Sequence, residues 1–294
     1  MKDIGIALKG IIDLHIHAGP SLADRKVDAA EMMEYALKFG YRAYVIKDHY
    51  FPTVMSASLC EKHLGQGKVK VFGGIALNNS VGGINVKAVD AAYGMGAKFV
   101  YMPTVSAKHH INSHKGQHFP GGSSKEGISE REMLYIDNNG KLNDSVIAVL
   151  EYVAERPDLI LATGHGTQAE IEALLQKGSE LGIAKMYANH PFYMINADIN
   201  TMSYWASLGA TIEINACVFL FGEHPTPMSV AKNIFERIPL DKIVITSDLG
   251  QKNNSTPSQG LYDFLVKLQR ECGITDEQIY AATRTNSAKL LELE

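Results

Sequence analysis

Short apolar segments and amphipathic segments alternate along the whole chain of 294 residues. The apolar segments are rich in β-branched and aromatic residues, as buried strands are, and the segments between them have the apolar spacing of helices. Several helical segments end in glycine, which commonly terminates a helix before a short loop. The eight candidate strands are IIDLHIH, YRAYVIKDH, KVKVFGGIAL, AKFVYMPT, LILATGHG, AKMYANHP, ATIEIN and KIVITSDLG. Eight strands alternating with helices predict an α/β fold, the closed (β/α)8 TIM barrel.

We expect residues 1–294 to form a single domain, because no interdomain linker and no repeat of solenoid length divides the chain. An open, doubly wound parallel sheet is the alternative, since it uses the same alternation of strands and helices. One connection is much longer than the others: it follows the fourth candidate strand, begins near Val105 and ends near Asn143. The sequence therefore predicts a barrel with an extended loop after strand 4, at the face where barrel active sites lie.

Residue types that bind metals stand at the C-terminal ends of several candidate strands. His15 and His17 end the first strand, and residues i and i+2 of a strand project from the same face, so their imidazoles are side by side. Other strands end in the same way, with Lys47 and His49 on the second, His165 on the fifth, His190 on the sixth and Asp248 on the eighth. Any one of these residues is compatible with a hydrogen-bonded buried polar group. Because the strand ends converge at one face of a barrel, together they predict a metal or catalytic centre.

Four motifs in this order, DLHIHAGP, ATGHG, NHP and TSDLGQ, resemble the amidohydrolase superfamily of metal-dependent TIM-barrel hydrolases, and within it an amidohydrolase-like branch. The resemblance spans essentially the whole chain. It implies that His15, His17 and Asp248 bind the more buried metal ion. It also implies that His165 and His190 bind a second ion, or that one binds metal while the other contacts substrate. Asp248 would be the catalytic residue, taking a proton from the attacking water.

The implied cofactor is one or two divalent metal ions. Zinc is the leading candidate because the ligands are imidazoles and a carboxylate, and manganese, iron or nickel would suit them too. Binuclear members of the superfamily commonly take a bridging lysine or glutamate from strand 4, but here that strand ends in VYMPT. Lys47 is the candidate substitute, as a carboxylated bridging lysine or as a group that holds an anionic part of the substrate. An ion pair with Asp48 is its structural alternative. His49 is a candidate metal ligand, substrate contact or structural partner.

Four further residues are candidates for binding substrate. Arg25 follows the first strand and suits a carboxylate or phosphate, with a surface ion pair as the alternative. His109 and His110 lie in the extended loop, where contact with substrate is the expectation and plain solvation the alternative. Glu213 alternates with isoleucines on strand 7, so it faces inward, towards substrate or behind another site residue.

The function that this pattern predicts is metal-dependent hydrolysis of a small-molecule amide, ester or lactone, or phosphoester by metal-activated water. A metal-dependent decarboxylase of the same superfamily is the alternative enzyme, since it also uses H-x-H, a later histidine and an aspartate. A non-catalytic ligand-binding barrel that has kept its histidines is the alternative from another class of protein.

Composition limits the partners and the compartment. A net charge of −4 gives no electrostatic basis for binding nucleic acid. The three cysteines are scattered, which favours a reducing compartment. The chain has no long apolar segment, so we expect no membrane partner. We therefore expect a cytoplasmic enzyme with a small-molecule substrate. Association into a homo-oligomer is compatible with a barrel of this size.

Overall fold

A parallel sheet of eight strands forms the centre of the molecule. A computed structural model describes residues 4–115 and 128–293, and in it the strands follow one another around the sheet in sequence order. They are β1 (Ile12–Ile16), β2 (Ala43–Ile46), β3 (Lys70–Ala76), β4 (Phe99–Tyr101), β5 (Ile160–Ala162), β6 (Met186–Ala188), β7 (Ala210–Asn215) and β8 (Ile243–Thr246). The predicted (β/α)8 barrel is confirmed, and the open sheet is not observed.

Helices connect successive strands and cover the outside of the barrel. They are α1 (Ile4–Leu8), α2 (Ala29–Phe39), α3 (Val54–Leu64), α4 (Val86–Gly94), α5 (Lys108–Ser113), α6 (Asp144–Ala154), α7 (Gln168–Glu180), α8 (Ile199–Ser207), α9 (Ala216–Leu220), α10 (Met228–Arg237), α11 (Pro257–Cys272), α12 (Asp276–Tyr280) and α13 (Asn286–Leu291). α2 shows how the sequence sets their ends. Asp28 and Glu31 form a capping box at its start, and Gly40 adopts a left-handed conformation at its end. None of the helices within residues 4–115 and 128–293 is long and apolar enough to cross a membrane.

The barrel closes between β8 and β1 through backbone hydrogen bonds just beyond the end of β8. The N–H of Asp248 donates to the carbonyl of His15 at 2.8 Å, and the N–H of His17 donates to the carbonyl of Leu249 at 2.8 Å. Gly250 follows with φ +131°, and a Cβ at this position would lie 1.6 Å from the carbonyl oxygen of His17. Only glycine therefore allows the two segments to approach this closely.

Side chains of the strands divide between an interior apolar cluster and one beneath the helices. On β4, Phe99 and Tyr101 belong to the interior cluster and Val100 to the outer one. The register between β1 and β2 shifts between Asp13 and Ile16. Leu14 belongs to the interior cluster, although His15 beside it also reaches the barrel mouth. A bulge accounts for this, because an extra residue in one strand turns neighbouring side chains to the same side.

The extended connection after β4 is also confirmed, and part of it packs on the barrel. It runs from the end of β4 to α6, contains α5, and has residues 116–127 outside the described part of the chain. Tyr135 anchors its second half: it is fully buried, its N–H donates to Glu170 Oε1 at 2.8 Å, and its hydroxyl donates to the carbonyl of Pro103 at 3.0 Å. These contacts hold the connection beside the mouth of the barrel.

Candidate metal centre

His15, His17 and Asp248 form a buried cluster where the first and last strands meet. Each offers one potential ligand atom, and these atoms all lie within 4.8 Å of one another. His15 Nε2 is 3.0 Å and His17 Nε2 is 3.1 Å from Asp248 Oδ1. The backbone hydrogen bonds that close the barrel also bring these three residues together, across most of the length of the sequence. The structure thus unites the three residues predicted for the more buried metal.

The outer nitrogens of the two imidazoles show which tautomer each adopts. His15 Nδ1 donates to Glu213 Oε1 at 2.8 Å, and His17 Nδ1 donates to the carbonyl oxygen of Lys47 at 3.0 Å. A backbone carbonyl can only accept a hydrogen bond, and so can an ionised carboxylate. Burial opposes ionisation of Glu213, but the donors His15 Nδ1, Thr246 Oγ1 and the N–H of His190 favour its ionised form. Both Nδ1 atoms therefore hold the proton, so both Nε2 atoms are acceptors; that of His17 faces Asp248, and that of His15 lies between Asp248 Oδ1 and Lys47 Nζ.

This arrangement fits a divalent cation. The lone pair of His17 Nε2 faces Asp248 Oδ1 at 3.1 Å, so two acceptors meet without a proton between them. Burial lowers the pKa of His17 to about 3, and an imidazolium therefore does not supply that proton at neutral pH. Burial opposes ionisation of Asp248, but the N–H that Asn215 Nδ2 donates to its Oδ2 favours the ionised carboxylate. Imidazole nitrogens and a carboxylate oxygen are the donors that zinc and related metals bind.

Asp248 is fixed by its second oxygen and by its backbone. Asn215 Nδ2 donates to Asp248 Oδ2, so only Oδ1 is directed at the two histidines. Asp248 has φ +50° and His190 has φ +34°, both in the left-handed region. Such conformations cost about 1–3 kcal/mol and persist where the surrounding contacts require them, commonly at functional sites.

Five imidazoles form a closed circuit around the barrel mouth. Successive ring centroids lie 5.2, 5.0, 6.0, 5.1 and 5.9 Å apart in the order His15, His17, His49, His165, His190 and back to His15. Burial lowers the pKa of His190 to about 4 and holds the pKa values of His49 and His165 well below 6.5. His165 Nε2 and His190 Nδ1 are buried and have no hydrogen-bond partner among the described residues. Their neutral rings are therefore available to a second ion or to substrate.

The two histidines predicted from the extended loop occupy different places. His110 is buried, and its Nδ1 lies 2.8 Å from Nδ1 of His165, so the two rings share one proton. His109 Nε2 instead donates to the carbonyl of Met194 at 3.2 Å. The structure brings His110 into contact with the imidazole circuit, whereas His109 joins α5 to the segment that follows His190.

Lys47 lies against the cluster of His15, His17 and Asp248 and not in an ion pair with its neighbour in sequence. Its Nζ donates to His15 Nε2 at 2.9 Å and lies 4.9 Å from the centroid of the Tyr101 ring. Burial lowers the pKa of Lys47. Asp48 pairs with another cation, Arg25, whose Nη2 lies 3.3 Å from Asp48 Oδ2.

Glu213 lies behind His15. Its Oε1 accepts from His15 Nδ1 and from Thr246 Oγ1 at 2.6 Å, and its Oε2 accepts from the N–H of His190 at 2.9 Å. Glu213 is fully buried. It therefore orients two histidines of the circuit, which makes it a positioning residue.

Two residues that the sequence analysis does not single out hold His49. Thr104 Oγ1 lies 2.9 Å from His49 Nδ1, and Asn78 Nδ2 donates to Thr104 Oγ1 and to the carbonyl of His49, both at 2.7 Å. Asn78 lies two residues after the end of β3, and Thr104 lies three residues after the end of β4. Their position as polar residues just after buried strands is the signal that could have identified them.

The sequence matches a protein family over more than half of its length. A family model described as "Family of unknown function (DUF6282)" matches residues 10–213. This segment includes the five histidines of the circuit and ends before Asp248. No curated protein matches the sequence.

Solved structures share the fold at low sequence identity. An amidohydrolase II structure has a TM-score of 0.59 at 12% identity, covering 96% of this chain and 99% of that chain. An organophosphorus hydrolase from Deinococcus radiodurans has a TM-score of 0.59 at 14% identity, covering 97% of this chain and 93% of that chain. The resemblance indicated by the strand-end motifs is thus confirmed at the level of the fold.

Proposed function

The chain belongs to the DUF6282 family, and on that premise we propose that it is a metal-dependent hydrolase acting on a small-molecule amide, ester or lactone, or phosphoester. One observation carries the proposal: the Nε2 lone pairs of His15 and His17 converge on Asp248 Oδ1, with both Nδ1 protons directed away. A buried set of two imidazoles and a carboxylate with this proton arrangement is built to bind a divalent cation.

The residues around this cluster suit hydrolysis. When bound, a divalent metal supplies Lewis acidity and lowers the pKa of a water nucleophile to near neutrality. Asp248 Oδ1 is directed at the same centre and is ionised, so it can accept the proton released as water attacks. Glu213 keeps the His15 lone pair directed inward. His165 and His190 are neutral and have a buried ring nitrogen each to offer to a second ion or to the substrate.

The similar folds support hydrolysis as the reaction class. One of the solved structures with this fold is an amidohydrolase and another is an organophosphorus hydrolase, which is why amide and phosphoester substrates both belong to the proposal. Zinc as the preferred metal rests on the imidazole and carboxylate donors. A cytoplasmic location rests on the three free cysteines, Cys60, Cys217 and Cys272. We also propose that residues 1–294 act as one domain on a small-molecule substrate.

Metal analysis combined with turnover tests this function. The protein should contain one or two equivalents of a divalent metal per chain and should hydrolyse a member of a panel of amides, lactones and phosphoesters. A chelator should abolish turnover, and re-addition of zinc or manganese should restore it. Measuring incorporation of ¹⁸O from water against release of carbon dioxide separates the hydrolase from a decarboxylase.

Asp248→Asn is the decisive variant, with Asp263→Asn on the exposed face of α11 as the matched control. Replacing the base should lower turnover by about 10²–10⁴-fold and weaken metal binding, because the amide is a poorer ligand and does not take the proton. The control should behave as wild type. Failure of the wild-type protein to bind zinc or manganese, or full turnover of Asp248→Asn, would exclude the proposed function.

A further inference from the structure

Arg25 is a buried cation that the proposed hydrolysis does not use. Its side chain is only 3% exposed. One nitrogen, Nη2, donates to Asp48 Oδ2 at 3.3 Å. The other two nitrogens, Nε and Nη1, are buried and have no hydrogen-bond partner among the described residues. Most of the hydrogen-bonding capacity of this guanidinium is thus directed at no group within residues 4–115 and 128–293.

The surroundings of Asp48 hold Arg25 in place. Asp48 Oδ1 accepts from the N–H groups of Tyr50 at 2.8 Å and Phe51 at 3.2 Å, while Ser21 Oγ donates to Oδ2 beside Arg25. All of these groups sit on the loops that follow β1 and β2. Asp48 therefore fixes the guanidinium through a single nitrogen, with its own oxygens already occupied by other donors.

Arg25 also borders the metal centre. Its backbone forms an isolated bridge with Gln251, three residues after Asp248 in the sequence. The N–H of Lys26, the next residue, donates to the carbonyl of Gly250 at 2.7 Å, and Asp48, the partner of Arg25, directly follows Lys47, whose Nζ contacts His15 Nε2 at 2.9 Å. The side chain of Arg25 is thus held between the loops that carry Asp248 and Lys47.

An unpaired donor in a buried position is costly. Leaving one without an acceptor destabilises the folded protein, and more strongly when the group is charged. An oxyanion is the ligand that best satisfies a guanidinium, because its oxygens accept charge-assisted hydrogen bonds from several N–H groups. A neutral amide or ester would leave the charge of Arg25 uncompensated beyond its one contact with Asp48.

We propose that Arg25 is the substrate-recognition residue of this site, and that the substrate has an oxyanion group, a carboxylate or a phosphate, bound by Nε and Nη1. The proposal rests on the proposed function, since it places this group beside the reacting centre. It narrows the substrate class from any small amide, ester or phosphoester to one with a negatively charged group close to the bond that is cleaved.

Calorimetric titration of the metal-loaded protein with matched probes tests the proposal. Succinate is the carboxylate probe, neutral succinamide is its uncharged counterpart, and inorganic phosphate is the phosphate probe. Wild type should bind at least one of the anions and should bind succinamide far more weakly. Which anion binds more tightly identifies the source of the oxyanion. Binding of neither anion to wild type would overturn the proposal.

Arg25→Met removes the donors, Arg25→Lys keeps the charge but not the fork of N–H groups, and Arg237→Met on the exposed face of α10 is the control. Arg25→Met should weaken anion binding at least tenfold with metal content unchanged, Arg25→Lys should recover only part of it, and the control should match wild type. Unchanged anion affinity in Arg25→Met overturns the proposal. If Arg25→Met does not fold, modification of the wild-type protein by phenylglyoxal takes the place of this variant. The bound anion should protect Arg25 from modification, and a lack of protection would overturn the proposal.

These measurements separate this proposal from the proposed function. Anion binding that depends on Arg25 in a protein that retains no metal contradicts the hydrolase but leaves the role of Arg25 standing. If the metal-loaded protein is hydrolytic and its affinity for anions does not change when Arg25 is replaced, the proposed hydrolase is supported and the role of Arg25 is rejected.

Discussion

Replacing Glu213 with glutamine should loosen the metal centre without touching any proposed ligand. Three donors converge on the two oxygens of this carboxylate: His15 Nδ1, Thr246 Oγ1 and the N–H of His190. Glutamine has one carbonyl oxygen and one NH₂ group. In one orientation its NH₂ group meets the N–H of His190, where two donors face each other. In the other orientation it meets His15 Nδ1 and favours the tautomer whose proton is on Nε2.

Both orientations have a definite cost. An unsatisfied donor in this fully buried position costs about 1–3 kcal/mol of unfolding free energy. A proton on Nε2 of His15 would also occupy the lone pair directed at the metal. Mutating the partners that orient a metal-binding histidine typically lowers metal affinity about 10–100-fold. We therefore expect Glu213→Gln to lose about 1–3 kcal/mol of stability as metal-free protein and one to two orders of magnitude in zinc affinity.

Glu170→Gln is the matched control. Glu170 is also buried and also accepts three hydrogen bonds, from the N–H of Tyr135 and from the N–H and Oγ1 of Thr167. The Glu170→Gln protein should lose a similar amount of unfolding free energy while keeping the zinc affinity of wild type. Urea unfolding measures the first quantity, and competition with a chelator of known affinity measures the second. Equal zinc affinities in Glu213→Gln and wild type would show that Glu213 does not orient His15 for metal binding. An equal loss in both variants would assign the effect to general destabilisation.

Two further predictions concern protonation and backbone packing. Urea unfolding of the metal-free protein should show stability falling as the pH drops from 6.5 towards 4, by roughly 1 kcal/mol per pH unit for each buried histidine. Burial lowers the pKa values of His17 and His190 to about 3 and about 4. As the pH falls, the unfolded chain therefore takes up these two protons before the folded protein does. Constant or rising stability on acidification would contradict this. Gly250→Ala should lower the unfolding free energy by at least about 3 kcal/mol and reduce metal content, because its Cβ would collide with the carbonyl of His17. Gly94→Ala, in α4 and with nothing within 4 Å of the added Cβ, should lower neither quantity, because alanine favours a helix more than glycine does. A stable, metal-binding Gly250→Ala protein would refute the argument.

The barrel and the residues at its mouth could be predicted because both follow from local pattern. Alternating strands and helices allow few arrangements, and the ends of parallel strands meet at one face, so His15 and Asp248 could be brought together without coordinates. The periodicity of β7 also placed Glu213 inside. The periodicity could not show whether the carboxylate faces substrate or His15, because that depends on the stagger of β7 and β1 on the two sides of β8.

The partners of the loop residues could not be predicted. The sequence offers Asp48 as an ion-pair partner to its neighbour Lys47, yet Arg25 makes that ion pair and Lys47 contacts His15. The choice depends on how the loops after β1 and β2 fold over each other. Simple alternation also fails at Leu14, because the bulge in β1 turns two successive side chains inward. These features arise from contacts distant in sequence, which a local pattern does not encode.

Closure of the barrel between its first and last strands sets the order in which the protein can acquire a metal. During synthesis, His15 and His17 leave the ribosome more than 200 residues before Asp248. The backbone bonds that align them exist only after β8 has docked against β1. A nascent chain therefore presents two histidines but never the complete ligand set. If the cluster binds a metal as we propose, tight metal retention should therefore report that the whole ring of strands has been completed.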